Sequence, residues 1–372
     1  MLQAVLKFTF YFVLNLFIGT ALAQDPQYSQ YYSAPLLLNP AFTGSSDCYR
    51  IGLNARTQWP GLTRSFNTTS LFADLNYKSI NSGIGFMLLH DNIGTARLSS
   101  NEFSGLYSYY VPLSKHFNLR FGLQATYASR NVDYSDLIFE DQFNDDLLIG
   151  GSTEDPIVDY NKNNYFDFSG GMVLFGEDYY WVGFSAHHLN RPEQAFYTGD
   201  SRLPIKYSIH GGYNIIFEKG FGFKRGEFLR LIPTFNYKSQ AKFDQLDIGI
   251  YAIEHNILMG ILYRGLIIKE YENIRNNDAI TLHVGYNWTD LQIHYSYDLT
   301  TSRLGINNTL GSHEISLVYT FCNDWPPHKH NPGHKQRKLP CPDFRKRGSW
   351  GSPQHKQHND EHHHNNTIHH PH

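Results

Sequence analysis

The feature that most constrains the fold is a two-residue alternation of apolar and polar side chains, which recurs from Cys48 to Phe321. The clearest example runs from Phe117 to Tyr127: odd positions hold Phe, Leu, Ala and Tyr, and even positions hold Asn, Arg, Gly, Gln and Thr. Successive side chains of a β-strand point to opposite faces of its sheet, so this pattern indicates strands with one apolar and one polar face. A helical period of 3.6 residues is nowhere comparable, and the chain is therefore expected to be all-β.

Fourteen segments show this alternation. The number is even, as it is in single-chain bacterial outer-membrane barrels. The connections also tend to alternate between short and long, which is typical of an up-and-down barrel with short turns at one end and longer loops at the other. We predict a transmembrane up-and-down antiparallel β-barrel of about 14 strands, over residues 49–59, 66–77, 83–90, 99–110, 117–127, 165–175, 179–188, 205–216, 228–238, 243–252, 257–264, 279–288, 291–298 and 312–321.

A soluble secreted sandwich or propeller also alternates with a period of two, so the pattern alone does not exclude one. The strand length favours the barrel, because about 11 residues at about 3.3 Å each, tilted by about 40°, cover roughly 28 Å, close to the apolar band of an outer-membrane barrel. Aromatic residues make up 15% of the chain and gather near segment ends, as Tyr286 and Trp288 do. Such positions would form the two interfacial girdles of a barrel.

The N-terminal residues predict export. Lys7 precedes an apolar stretch from Phe8 to Ile18, and Ala21-Leu22-Ala23 then supplies the small residues that signal peptidase requires. We predict that residues 1–23 are a signal peptide cleaved between Ala23 and Gln24, and that the protein resides in the cell outer membrane. A retained membrane anchor is the alternative, although the apolar stretch is short for a spanning helix.

Composition divides the mature chain into three parts. Residues 24–47 contain several Tyr and no Lys or Arg, residues 48–322 hold the alternating segments, and residues 323–372 hold eight Lys/Arg, four Asp/Glu and 11 of the 20 His. The first part is predicted to plug the barrel lumen or to dock a periplasmic partner, or otherwise to be placed beneath the barrel by a rigid turn at Asn39-Pro40. The last part lacks apolar periodicity, so a disordered tail is predicted there.

If the chain starts in the periplasm, an even number of strands returns it there, so both termini are predicted to be periplasmic. The basic tail would then meet acidic periplasmic ring components or anionic lipid, with a merely solvated tail as the plainer alternative. Within the tail, His362, His363 and His364 are candidates for binding Zn, Cu or Ni, and no other metal site is predicted.

The cysteines suggest a fastened seam. Cys48 precedes the first predicted strand and Cys322 follows the last, and these two strands are neighbours in a closed barrel. A Cys48–Cys322 disulfide is therefore a candidate, and Cys322–Cys341 is the competing pair.

Catalytic motifs are absent from the sequence. It contains no GxSxG, HExxH or Walker sequence, and His283, His294 and Asp298 fall at inward positions that suit a polar lumen. The net charge of -3 gives no nucleic-acid signal. We predict a non-enzymatic protein with no cofactor and no nucleic-acid partner.

Several motifs carry a resemblance to a known family. They are Gln24–Tyr32 (QDPQYSQYY), Leu38–Gly44 (LNPAFTG), Arg56–Gly61 (RTQWPG), Ser82–Gly85 (SGIG) and Asp91–Gly94 (DNIG). In this order and register they resemble the opening signature of the PorP/SprF family of type IX secretion and gliding-motility membrane proteins. The similarity runs from Gln24 to about Phe321. The tail departs from the family pattern, in which the chain usually ends near the last strand.

The resemblance implies an outer-membrane barrel that works with the type IX secretion machinery. Members of the family support the export of particular cargo or surface adhesins and their attachment at the cell surface. The partners expected here are outer-membrane lipid, secretion or motility proteins of the periplasm and outer membrane, and a secreted adhesin or cargo protein. Residues of the motifs are candidates for partner docking: Asn39, Pro40, Ala41, Phe42, Gly44, Arg56, Gln58 and Trp59. A diffusion or uptake channel is the alternative function, because the polar inner faces permit it equally.

Overall fold

The fold is a closed barrel of 14 strands. The computed structural model describes residues 25–46, 48–62, 65–93, 98–114, 116–137, 139–144, 147–148, 153–176, 179–197, 201–217, 229–271, 274–288, 290–302 and 305–321. The predicted signal peptide and tail lie outside the described residues. The strands are β1 Tyr49–Gln58, β2 Phe66–Tyr77, β3 Ser82–Ile93, β4 Leu98–Pro112, β5 Phe117–Asn131, β6 Lys162–Gly176, β7 Tyr180–His187, β8 Lys206–Tyr213, β9 Leu229–Gln240, β10 Phe243–Glu254, β11 Ile257–Tyr271, β12 Ile274–Asn287, β13 Leu291–Thr300 and β14 Ser312–Phe321.

Each strand pairs antiparallel with the next one along the chain, from β1 to β14. The last pairing, between β14 and β1, runs in register from Tyr49 opposite Phe321 to Gln58 opposite Ser312, and it closes the sheet on itself. The predicted up-and-down antiparallel topology and its 14 strands are confirmed.

The two faces of the wall are the reverse of those of a soluble protein. On β5, Phe121 and Leu123 are 44% and 64% exposed on the outside, whereas Arg120 and Gln124 are only 4% and 8% exposed on the inside. A soluble sandwich buries its apolar face between two sheets. An apolar face exposed around the barrel instead suits a surrounding lipid phase. Strands can therefore span a membrane although their polar inner residues make the average composition of each strand polar.

The barrel has two distinguishable ends. One, here called the Cys48 end, carries Cys48, Phe321 and mostly short connections such as residues 78–81, 113–116 and 255–256. The other, here called the loop end, carries the long connections 132–161, 188–205 and 301–311. Two hairpins of the Cys48 end turn through Asn81 and His255, whose φ angles of 55° and 53° lie in the left-handed region that tight turns require.

Short helices lie outside the wall strands. Helix α1 (Pro35–Leu38) and a 3-10 turn (Pro40–Phe42) belong to the N-terminal segment, and helix α2 (Ile306–Thr309) lies in the last loop. Further 3-10 turns span Lys78–Ile80, Tyr134–Asp136, Glu140–Gln142 and Pro156–Asp159, and a two-residue strand pair joins Phe143–Asn144 to Leu147–Leu148. None of the helices in the described part of the chain is long and apolar enough to cross a membrane.

The observed strands differ from the predicted ones mainly at the loop end. A loop was predicted over Gly265–Asn277, but β11 extends to Tyr271 and β12 begins at Ile274, so paired strand occupies most of this range. Register shifts after Arg264 and Leu266 let the backbone ladder persist where the alternation has ended. The predicted strand 205–216 is interrupted at Asn214, after which Ile215–Phe217 resumes pairing with β9.

Candidate functional site

The interior of the barrel is occupied by residues 25–46, here called the lumen segment. At its start, Asp25 contacts Lys206, the first residue of β8, and Gln240, the last residue of β9, so it lies at the loop end. Near its finish, the Gly44 amide donates to the Asp74 carboxylate at 2.6 Å, close to the Cys48 end. The lumen segment therefore crosses the barrel from one end to the other.

The lumen segment is packed rather than loosely held. Every residue from Tyr28 to Ser46 except Leu37 and Ser45 is buried. The Tyr32 ring meets the edges of two wall rings, with centroids 6.0 Å from Trp181 and 5.6 Å from Tyr251. Edge-to-face pairs at such distances add to the burial of apolar area. The lumen is thus filled by ordered side chains along the length of this segment.

The backbone of the lumen segment is held by one carboxylate of the wall. Glu314, on β14, accepts hydrogen bonds from the amides of Ser29 at 2.7 Å and Gln30 at 2.9 Å. The Gln30 side-chain amide donates to the Glu314 carbonyl at 3.0 Å and to the Ser296 hydroxyl at 3.1 Å. Two consecutive buried amides are satisfied by this single group, as buried backbone donors require.

The Ser29 hydroxyl bonds three wall strands directly and a fourth through Arg264. It accepts from Arg56 of β1 at 2.7 Å and from Arg264 of β11 at 2.9 Å, and it donates to Asp298 of β13 at 2.7 Å. Arg264 also binds Asp247 of β10 at 2.7 Å. A hydroxyl has one donor and two acceptor lone pairs, so this one is fully used. The charges that meet at this point of the lumen are paired, which buried charges require.

Asn39 fixes the turn that the NPA sequence forms. Its side-chain oxygen accepts from the Ala41 amide at 2.9 Å, which caps the 3-10 turn begun by Pro40. Its side-chain nitrogen donates to the carbonyls of Met172 and Phe184 at 3.1 and 3.0 Å. The motif is therefore both a local turn and an anchor to β6 and β7.

Two wall glycines make room for this turn. A Cβ on Gly122 would lie 2.1 Å from the Ala41 nitrogen, and a Cβ on Gly171 would lie 2.1 Å from the Asn39 side-chain oxygen. Both distances are far below van der Waals contact. Glycine is therefore required on the inner faces of β5 and β6 because the lumen segment passes directly over them.

At the loop end, Asp25 holds the start of the lumen segment. Its carboxylate lies 2.6 Å from the Lys206 ammonium and 2.7 Å from His188 Nε2, and His188 Nδ1 lies 3.0 Å from Asp167. Burial opposes the charge on His188, but the carboxylates of Asp25 and Asp167 outweigh it and raise the pKa of His188 to about 9. Burial likewise opposes the charge on Asp25, but Lys206 and His188 hold the pKa of Asp25 well below its usual range.

The motif residues predicted to dock a partner fall into two groups. Asn39, Pro40, Ala41, Phe42, Gly44 and Arg56 are buried in the lumen. Gln58 and Trp59 lie at the loop end of β1 and are partly buried, and the Trp59 ring packs against Phe66 with centroids 5.7 Å apart. A partner would reach the first group only if the lumen segment left the barrel, and docking by these residues stays a prediction.

Both termini were predicted to lie on the periplasmic side, but the first and last described residues lie at opposite ends of the barrel. Asp25 lies at the loop end, whereas Phe321 lies at the Cys48 end, because the lumen segment runs the length of the barrel.

Cys48 is disulfide-bonded, which a Cys322–Cys341 pair would not allow, and its partner lies outside the described residues. Ala23, Gln24, Cys322 and the tail histidines 362–364 also lie outside them. Within the described ranges, no group of three or more His, Cys, Asp or Glu side chains comes together to hold a metal ion.

The residues that hold the lumen segment were not predicted from the sequence. Ser29, Glu314, Arg264 and Asp247 were not singled out, although all three charged residues occupy inward positions of strands. A signal was available, because charges on the inner face of a barrel must be paired or hydrated. The Asp298 position was recognised as inward-facing, but its partners cannot be read from spacing.

Comparisons with solved structures return other membrane barrels. The P. putida toluene transporter TodX is 11% identical, with 78% of this chain and 94% of that chain covered and a TM-score of 0.42. An outer membrane protein of Acinetobacter baumannii is 7% identical, with coverage of 75% and 100% and a TM-score of 0.40. A Pseudomonas aeruginosa FadL homologue is 12% identical, with coverage of 76% and 93% and a TM-score of 0.39. No curated protein sequence matches the chain.

Family comparison gives a specific result. Residues 20–319 match the family described as "Type IX secretion system membrane protein PorP/SprF". The match spans most of the chain and includes the lumen segment together with nearly the whole wall, so the predicted family is confirmed. This chain belongs to the PorP/SprF family of type IX secretion system membrane proteins, and it is an outer-membrane β-barrel of that kind.

Proposed function

We propose that this barrel is a closed, non-enzymatic platform of the type IX secretion system, which supports the export and surface anchoring of a particular adhesin or cargo protein. It contacts secretion or motility components of the periplasm and does not conduct solutes as its main task. The observation that carries this proposal is the filled lumen. A diffusion channel needs a continuous water path, whereas the lumen segment is hydrogen-bonded to the wall from Asp25 to Gly44 and, except at Leu37, is buried from Tyr28 to Gly44.

The contacts of the lumen segment support a resident plug. The amides of Ser29 and Gln30 bind Glu314, and the Asn39 side chain binds two wall carbonyls, so both halves of the segment are anchored. Removing the segment would take two hydrogen-bond donors from Glu314 and leave it with its 3.3 Å ion pair to Arg56. A wall built around such charges is suited to keeping its plug.

The proposed orientation places the Cys48 end in the periplasm and the loop end at the cell surface. Its support is the tendency of outer-membrane barrels to have short periplasmic turns and longer surface loops. The basic tail, residues 323–372, would then begin in the periplasm, where it can meet acidic secretion components. The long loop 132–161 would face the exported cargo.

The first experiment is conductance in planar lipid bilayers. We expect the mature protein to conduct poorly and a variant lacking Gln24–Ser46 to conduct as a stable open pore. Equal conductance of the two proteins would contradict the plug. A high, solute-selective conductance of the complete protein would support the channel function instead.

The second experiment concerns partners. Affinity purification of the native outer-membrane complex from cells carrying the complete chain should recover a secreted adhesin or a periplasmic secretion protein. A chain lacking residues 323–372 should retain surface partners and lose periplasmic ones that bind the tail. Recovery of neither class with the complete chain would contradict the platform proposal.

A further inference from the structure

A second feature of the lumen is a cavity of about 70 Å³ at the loop end, between the start of the lumen segment and strands β4, β5 and β6. A buried water molecule needs on the order of 10–15 Å³ by this measure, so the cavity has room for a group of several heavy atoms. Its wall includes Glu102, Gln124, Asp167 and Ser169. The contacts that hold the lumen segment do not use the free atoms of these residues.

The charges around the cavity are unevenly matched. Lys206 and His188 are taken up by Asp25, and His188 also binds one oxygen of Asp167. Arg130 also lines the cavity, where it donates to the Gln194 side-chain oxygen and lies over the Phe196 ring. Glu102 makes no hydrogen bond or ion pair with any described residue, so its carboxylate has no direct partner there.

Other residues of the cavity wall also present acceptors without partners. The Gln124 side-chain nitrogen donates to Ser104 and Thr126 at 3.1 and 3.0 Å, but its oxygen has no partner in the described chain. The second oxygen of Asp167 and the Ser169 hydroxyl are also unpartnered there. Gln124 and Asp167 are more than nine-tenths buried. Buried acceptors without donors cost free energy, and a ligand rich in N–H groups would satisfy several together.

We propose that this cavity binds an organic cation, preferably a guanidinium group, with Glu102 as its counter-ion and the oxygens of Gln124 and Asp167 as further acceptors. A guanidinium carries five N–H donors in one plane and no acceptor, which complements a wall of acceptors. A chelated metal ion fits less well, because no cluster of three or more ligating side chains occurs in the described ranges. The cation is carried either by an arginine side chain of a protein at the loop end or by a free small molecule.

The test is calorimetric titration of the complete mature protein in detergent with argininamide, near neutral pH and at low ionic strength. We expect saturable binding by the unchanged protein and at least tenfold weaker binding by Glu102→Gln. The matched control is Glu254→Gln at the Cys48 end, which should bind argininamide as the unchanged protein does. A change in migration on SDS gels between unheated and heated samples would show that each variant remains a folded barrel.

A second variant keeps the test informative if Glu102→Gln does not fold. Gln124→Glu adds a carboxylate at the same cavity and should tighten argininamide binding. Stronger binding of an arginine-containing tripeptide amide than of argininamide would identify a protein side chain as the natural source of the cation, and the reverse order would identify a free molecule. No binding to the unchanged protein, an equal loss in Glu254→Gln, or displacement of argininamide by stoichiometric Ca²⁺ would overturn the proposal.

Discussion

Replacing Ser29 with alanine should loosen the lumen segment while leaving the wall closed. The Ser29 hydroxyl makes three hydrogen bonds with ionised groups, accepting from Arg56 and Arg264 and donating to Asp298, at 2.7 to 2.9 Å. The Ser29 amide, which binds Glu314, is unaffected by the change. The substitution therefore removes only the side-chain bonds at the point where the lumen segment joins four strands.

The size of the expected loss depends on the ion pairs that Arg56 and Arg264 keep after the substitution. Arg56 and Arg264 both retain Asp298, at 2.8 and 3.1 Å, and Arg264 also retains Asp247. A hydrogen bond to a charged group contributes about 1.5–3 kcal/mol, and three fully lost bonds would exceed this range. Because both guanidinium groups remain paired, we expect a net loss of about 3 kcal/mol in the free energy that holds the segment.

Amide hydrogen exchange of the segment measures this loss. Exchange in peptides from residues 28–38 requires local opening, and about 3 kcal/mol less protection makes it roughly 100-fold faster. Ser33→Ala is the matched control, since it removes one hydrogen bond to a neutral side chain, Ser33 to His294 at 2.9 Å. That control should lose about 1 kcal/mol and exchange only several-fold faster.

Exchange in the wall strands serves as the reference for an intact barrel. If Ser29→Ala exchanges no faster than Ser33→Ala in the segment, the ionic contacts do not hold the plug and the reasoning fails. Faster exchange in the wall and the segment together would also contradict it, because the barrel and its plug would then open as one unit.

Further changes probe other contacts of the same segment. Gly122→Leu places a side chain against Ala41 and should displace the segment at a cost of about 3 kcal/mol or more, which should raise bilayer conductance. The control is Gly105→Leu at a lipid-facing position, where a Cβ meets nothing within 4 Å, and it should leave conductance low. The pKa of His188 is raised from 6.5 to about 9, so protonated His188 contributes up to about 3 kcal/mol to the free energy of unfolding. This contribution is complete below pH 6.5 and fades as the pH rises to 9. Urea unfolding in lipid vesicles should show this decline in stability, and His188→Gln should lack it. Peptide mapping without reduction should recover Cys48 linked to Cys322, and a peptide linking Cys48 to position 341 would contradict the proposed seam.

The strands of the wall were predictable because apolar and polar side chains alternate along them with a period of two. Alternation along strands such as Phe117–Asn131 reports which side faces lipid and which faces the lumen, and the even number of segments indicates closure. Strand ends at the loop end were less predictable. At the loop end a backbone ladder continues where the alternation has stopped, as β11 does past Gly265, so a period of two does not show where such a strand ends.

The lumen contacts were not predictable in the same way. The residues that meet at Ser29 are separated by up to 285 positions along the chain, and neither spacing nor alternation encodes which inward residue lies at which height. The NPA sequence did indicate a turn at Asn39. That its side chain would also reach two carbonyls across the lumen depends on Gly171, whose missing side chain looks in the sequence like any other strand glycine.

The position of the lumen segment has a consequence for the order of assembly. The segment leaves the translocon before any wall strand, and its contacts reach from Asp74 of β2 to Glu314 of β14. A wall that closed first would have to admit the rings of Tyr28, Tyr31, Tyr32 and Phe42 through an interior that already fits them tightly. The geometry therefore favours an order of assembly in which the seam between β1 and β14 closes only after the segment lies between the strands.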